Sequence, residues 1–234
     1  MVLTPLFPHC LLIKSVKYYS TDLLFIYVSF LFPEKSWYFL LGLKTNYKAA
    51  LSLTFIATLP MFIGYSLNSD SLNLSFKSLI DESLRPAFFQ EVIFRGFIFG
   101  LLFRYCNWGF IPAALVSSVL FILSNMILSG GVQADIEMNS FIAASLFTTI
   151  GGIWFAWLYA EFEFNLWIPL FLHALMNWSV ALYDVSGGVA LTPESNLFRM
   201  MTIALTVIFT IIIKRQRGFS AVDKSSLWLN QKMA

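Results

Sequence analysis

The chain has 234 residues, of which 58% are apolar and only 12% charged, and its mean hydropathy is +0.74. A soluble domain carries about 25% charged and about 45–50% apolar residues, so this composition excludes an ordinary water-soluble fold. The net charge of +2 is too small to argue for nucleic-acid binding. Two distant cysteines, Cys10 and Cys106, suggest neither a disulfide framework nor a cysteine metal site.

A bilayer core about 30 Å thick needs roughly 20 apolar residues as helix. The first apolar stretch, Asp22–Phe32, is about half that length and ends at Pro33-Glu34-Lys35. It reads as a short seventh span or as an interfacial helix. Six longer segments follow, near Tyr47–Leu67, Pro86–Tyr105, Phe110–Leu128, Phe141–Tyr159, Asn165–Leu182 and Leu197–Ile213. Turn-forming and charged residues separate them, among them Asn107-Trp108-Gly109, Ser129-Gly130-Gly131 and Glu161-Phe162-Glu163. Continuous apolar runs exclude the alternating pattern of a β-barrel, and lipid requires backbone groups to be satisfied within each segment. The expected fold class is therefore all-α, a polytopic transmembrane helical bundle of six to seven spans. It divides into an N-terminal segment 1–41, a bundle 42–217 and a short tail 218–234. No secretory signal peptide and no C-terminal prenylation signal are expected. With the tail Lys214-Arg215-Gln216-Arg217 in the cytoplasm, Lys35, Lys44, Lys48 and Arg104 fall on the same side, as the positive-inside rule asks. Trp37, Trp108 and Trp167 stand near span ends as interfacial anchors.

Ionisable groups inside spans are costly, so each is a functional candidate. Glu91 and Arg95 are four apart and share a helix face, with the acid on the favourable N-terminal side. His173 and Asn177 have the same spacing, and Asn125 interrupts an otherwise apolar helix. Antiparallel neighbours bring Glu91, near the start of its segment, and Asn125, near the end of the next, into one half of the bilayer; His173 and Asn177 fall near the middle of theirs, and the polar groups of all three segments can converge on one pocket. Bland readings stand beside these. The charges can be a mutually tolerated pair, Asn125 a hydrogen bond between helices, and His173 a satisfied core histidine. Gly96 and Gly100 suit close helix packing.

The order Gln90-Glu91-Val92-Ile93-Phe94-Arg95, then Phe121-Ile122-Leu123-Ser124-Asn125, then His173-Ala174-Leu175-Met176-Asn177 resembles the CPBP family of intramembrane proteases. That family includes the CAAX prenyl endopeptidases and the bacterial Abi-like proteins, with the pattern Glu-Glu-x-x-x-Arg, Phe-x-x-x-His and His-x-x-x-Asn. The likeness runs from about Gly42 to Arg217. It implies a multi-pass protein of a bacterial plasma membrane acting on a membrane-associated or lipidated peptide. It further implies that His173 and Asn177 hold the oxyanion and that Glu91–Arg95 is a supporting ion pair. Two positions depart. The family's water-activating glutamate is Gln90 here and its histidine partner is Asn125. An amide has no protonation equilibrium near neutral pH, so neither can be a general base, and losing such a group typically costs about 10²–10⁴-fold. Catalytic zinc needs about three protein ligands, and only Glu91 and His173 remain nearby, so no metal and no other cofactor is expected.

Three functions compete: an endopeptidase with a divergent base such as Glu91, a pseudoprotease that binds a membrane peptide or partner without cutting it, and a transporter. The last would show polar groups on several spans or broken helices in two repeated halves. Neither pattern is present in the sequence.

Overall fold

The structure, a computed structural model, describes residues 37–69, 71–128, 138–185, 193–218 and 220–229. Its helices are α1 (Trp37–Leu40), α2 (Tyr47–Asn68), α3 (Phe76–Tyr105), α4 (Phe110–Leu128), α5 (Met138–Glu161), α6 (Trp167–Leu182) and α7 (Pro193–Arg217). No strand occurs among the described residues. Each of the six long apolar segments is a helix. Tyr47–Asn68, Phe76–Tyr105, Phe141–Glu161 and Ser195–Arg217 are long and apolar enough to cross a membrane, while Phe110–Met126 and Trp167–Leu182 are shorter apolar helices. At 16 residues, α6 is about 24 Å long, less than the ~30 Å hydrocarbon core. The stretch Asp22–Phe32 lies outside the described residues.

Local chemistry sets the helix ends. The Asn46 side chain accepts from the Ala49 amide at 3.1 Å, an N-cap that satisfies one otherwise unpaired donor. Within α2 the buried Thr54 and Thr58 hydroxyls donate to the carbonyls of Ala50 and Thr54, so neither is stranded in apolar surroundings.

Helix α3 departs from the sequence expectation. It begins at Phe76 rather than Pro86, ten residues earlier, because Pro86 sits inside the helix instead of opening it. Proline lacks an N–H and crowds the preceding turn. The stretch Leu79–Leu84 just before it is wound as a wider π-turn, and the Arg85 amide donates to Ile80 O. Two further π-segments, Glu91–Phe99 and Leu101–Tyr105, continue the helix. Such turns are rare and frequently mark functional sites. The longer helix also moves Gln90 and Glu91 from a helix start to the middle of α3.

Helix α6 packs against α2 and the first half of α3; α4 packs against α5 and the Glu91–Phe99 stretch; α7 lies along α2. The largest core cluster joins Phe99, Phe103, Phe110, Tyr159 and Phe164, with Phe99 and Phe103 stacked at 5.3 Å. Gly96 is a close approach, since a Cβ there would stand 3.2 Å from the side chains of Leu166 and Leu41.

Helix ends and connections at this end are tied by backbone bonds. Leu166 N donates to Gly42 O at 3.2 Å, and Arg104 Nη1 to Leu40 O at 2.7 Å. Residues 220–229 return across the bundle, where the carbonyls of Ser226, Leu227 and Trp228 accept from Phe110, Ile111 and Gly109. These are amides that α4 itself cannot satisfy. Buried Glu161 accepts from Lys214, Ser220 and the Val222 amide.

Gly42 has φ +77°, and a Cβ there would lie 1.7 Å from Phe164 O, a backbone atom. Gly42→Ala is therefore expected to destabilise the protein by at least about 1–3 kcal/mol. A thermal-unfolding midpoint in detergent equal to wild type would show that the loop relaxes freely.

Candidate functional site

Glu91 stands where α3 passes from α-helical to π-helical winding. Its side chain is fully buried, that of Arg95 one turn on is 3% exposed, and that of His173 is 17% exposed. One carboxylate oxygen, Glu91 Oε1, accepts from Arg95 Nη1 at 3.1 Å and lies 2.7 Å from His173 Nδ1. Glu91 Oε2 and Arg95 Nε are buried without a hydrogen-bond partner among the described residues. The i,i+4 spacing fixes the Arg95 contact locally, whereas the His173 contact needs α6 to lie across α3.

Aromatic rings hold the cation in place. The Arg95 guanidinium lies 5.1 Å from the Phe121 ring centre and 5.3 Å from that of Phe155, so α4 and α5 each offer it a π-face. Phe94 meets Phe121 edge-on at 5.2 Å, and Phe155 stands 5.5 Å from the His173 ring. Ser117 Oγ donates to Phe94 O at 2.7 Å, binding α4 to the π-wound stretch.

Beside this cluster lies a second pair, in which Gln90 Nε2 donates to Asn125 Oδ1 at 3.3 Å. The two residues that depart from the family pattern thus meet each other. Asn177, half-buried one turn beyond His173, makes no side-chain hydrogen bond among the described residues. The structure therefore sorts five of the six expected site residues into two contacting groups, Glu91–Arg95–His173 and Gln90–Asn125, and leaves Asn177 on the face shared with His173. Phe155 was missed by sequence reasoning, because one phenylalanine among 25 carries no pattern of its own.

Two chemical consequences follow. As a carboxylate, Glu91 can only accept, which makes His173 Nδ1 the donor in the 2.7 Å contact and leaves Nε2 as the ring nitrogen that Glu91 does not engage. The Arg95 charge compensates the Glu91 carboxylate in a place where an isolated anion would be very costly. A zinc ion does not fit these side chains. Among the described residues no three His, Cys, Asp or Glu groups converge, and Glu91 is already engaged by Arg95 and His173.

An all-helical, multi-pass membrane protein with a buried carboxylate–guanidinium–imidazole cluster is the class that fold and site define. Residues 75–179 match the family model of type II CAAX prenyl endopeptidase Rce1-like proteins. A Bacillus subtilis (strain 168) protein, "Putative membrane peptidase YdiL", is 36% identical over 107 residues, which are 46% of this chain and 37% of that protein. That family match covers 105 of the 234 residues, a little under half of the chain. The alignment spans little more than a third of the relative's length. No solved structure matches.

Proposed function

We propose that this protein is a CAAX-protease-like membrane peptidase that cuts a membrane-associated or lipidated peptide, with His173 as the base that activates water. The 2.7 Å contact between His173 Nδ1 and Glu91 Oε1 carries this reading. In this scheme His173 Nε2 takes a proton from water while the water oxygen bonds to the peptide carbonyl carbon, and the π-electron pair moves onto the carbonyl oxygen. The tetrahedral intermediate then collapses. The C–N bond breaks, the carbonyl re-forms, and the imidazolium returns its proton to the leaving nitrogen, yielding a carboxylic acid and an amine. Glu91 positions the ring throughout and Arg95 positions Glu91, as in other histidine bases oriented by a carboxylate. The bilayer supplies the surroundings, and the basic residues Lys44, Lys48, Arg104, Lys214, Arg215 and Arg217 support a cytoplasmic placement of their end of the bundle, and so of the C-terminus, in a bacterial plasma membrane.

A second reading, a pseudoprotease that binds such a peptide uncut, is favoured by the Gln90–Asn125 hydrogen bond. Two amides joined by that single bond stand at the positions where the family pattern has its water-activating pair. Purified protein in detergent with a fluorogenic peptide library separates the two. The proposal expects cleavage by the wild type that is lost in His173→Ala. Cleavage that emerges only in the double variant Gln90→Glu with Asn125→His, at about 10² times the wild-type background or more, would establish the pseudoprotease instead.

A further inference from the structure

We infer that Asn125 supplies an oxyanion donor through its Nδ2, a role reversal relative to the residue that the family carries at that position. The inference rests on His173 acting as base, as proposed above. With Nδ1–H given to Glu91, the only other N–H of the imidazolium is the proton that Nε2 takes from water, and that proton is passed to the leaving nitrogen rather than held on the carbonyl oxygen. The negative charge that develops there needs donors from elsewhere, because a preorganised donor is usually among the largest contributions to such a reaction.

The site residues include three amide side chains, Gln90, Asn125 and Asn177, and Gln90 gives its Nε2 to Asn125. In the contact with Gln90 it is the oxygen of Asn125 that is engaged, Gln90 Nε2 to Asn125 Oδ1 at 3.3 Å. This orientation leaves both Nδ2 hydrogens of Asn125 without a partner among the described residues, on a half-buried side chain. Gln90 therefore acts as a positioning residue that turns the donor end of the Asn125 amide away from itself. Gln90 and Glu91 are adjacent on α3, and they reach α4 through Asn125 and α6 through His173 respectively. A peptide carbonyl lying across this part of α3 would meet a base from one side and an amide donor from the other. Asn177, on the His173 face, is the available second donor.

Kinetics of the fluorogenic peptide that the wild type cuts test this with three variants of the full chain. Asn125→Asp keeps the shape and the acceptor for Gln90 but removes the donor. Asn125→Leu keeps the volume without introducing a charge. Gln90→Leu removes the positioning amide alone. Both Asn125 variants are expected to lose about 10²–10³-fold in kcat, with KM and melting midpoint close to wild type, while Gln90→Leu loses less than about tenfold. A kcat above a tenth of wild type in either Asn125 variant would overturn the donor role. So would an equal loss in Gln90→Leu, since Asn125 would then act only by holding Gln90. Absence of any wild-type cleavage would overturn His173 as base and the donor role with it, whereas wild-type cleavage with an unimpaired Asn125→Leu overturns the donor role alone.

Discussion

His173→Ala is expected to lower kcat by about 10²–10⁴-fold, the usual contribution of a positioned general base, with little change in the folded fraction. Gln90 and Asn125 cannot exchange protons near neutral pH, and Glu91 is buried with Arg95 on the same oxygen. Only the His173 ring combines a free basic nitrogen with partial exposure, 17% against 0% for Glu91. Alanine also removes the ring that packs 5.5 Å from Phe155, so His173→Gln serves as the control. A glutamine fills similar space and can still donate to Glu91, but it cannot take a proton from water. Equal loss in both variants, with melting midpoints near wild type, identifies base chemistry. Full activity in His173→Gln would mean that the side chain only holds Glu91.

Arg95→Met is expected to destabilise the protein by about 3–5 kcal/mol, because removing one partner leaves the other charge buried and uncompensated. Glu91 is then left with His173 alone, on a side chain with no exposure. Replacing both members, Glu91→Gln with Arg95→Met, is expected to recover much of that loss, since a buried pair exchanged for uncharged groups of similar volume is often neutral. Activity should not return with stability, because a glutamine at position 91 no longer provides the anion that orients His173. Thermal unfolding in detergent reads the first effect and peptide cleavage the second. A single Arg95→Met variant that melts with the wild type would show that the cation is not needed to compensate Glu91. A double variant with wild-type kcat would show that Glu91 does not orient the base.

Much of the bundle was legible in the sequence because its signals are local. Helical segments in lipid announce themselves through length and hydropathy, and the i,i+4 spacing of Glu91–Arg95 is read from the chain alone. The start of α3 was misjudged for an equally physical reason. Pro86 and the polar run Lys77, Asp81, Glu82 and Arg85 look like a boundary to hydropathy, yet a π-turn lets the helix run through the proline. The short α6 was marked by its apolar run even though it falls below ordinary span length, because neighbours on α2 and α3 cover it.

By itself, then, the sequence determined that the chain is membrane-embedded, that its most conspicuous polar groups lie on three helices in a family-like order, and that Gln90 and Asn125 stand where the family pattern has a glutamate and a histidine. Only the tertiary structure decided the pairings. Glu91 could have spent its carboxylate wholly on Arg95, and Asn125 could have bonded to any neighbour. The packing of α6 against the first half of α3, and of α4 against its π-wound middle, brings His173 onto the same oxygen as Arg95 and sets Gln90 against Asn125. Such contacts depend on which helix faces cross and at what depth, a relation between segments 35 and 82 residues apart that no local periodicity encodes.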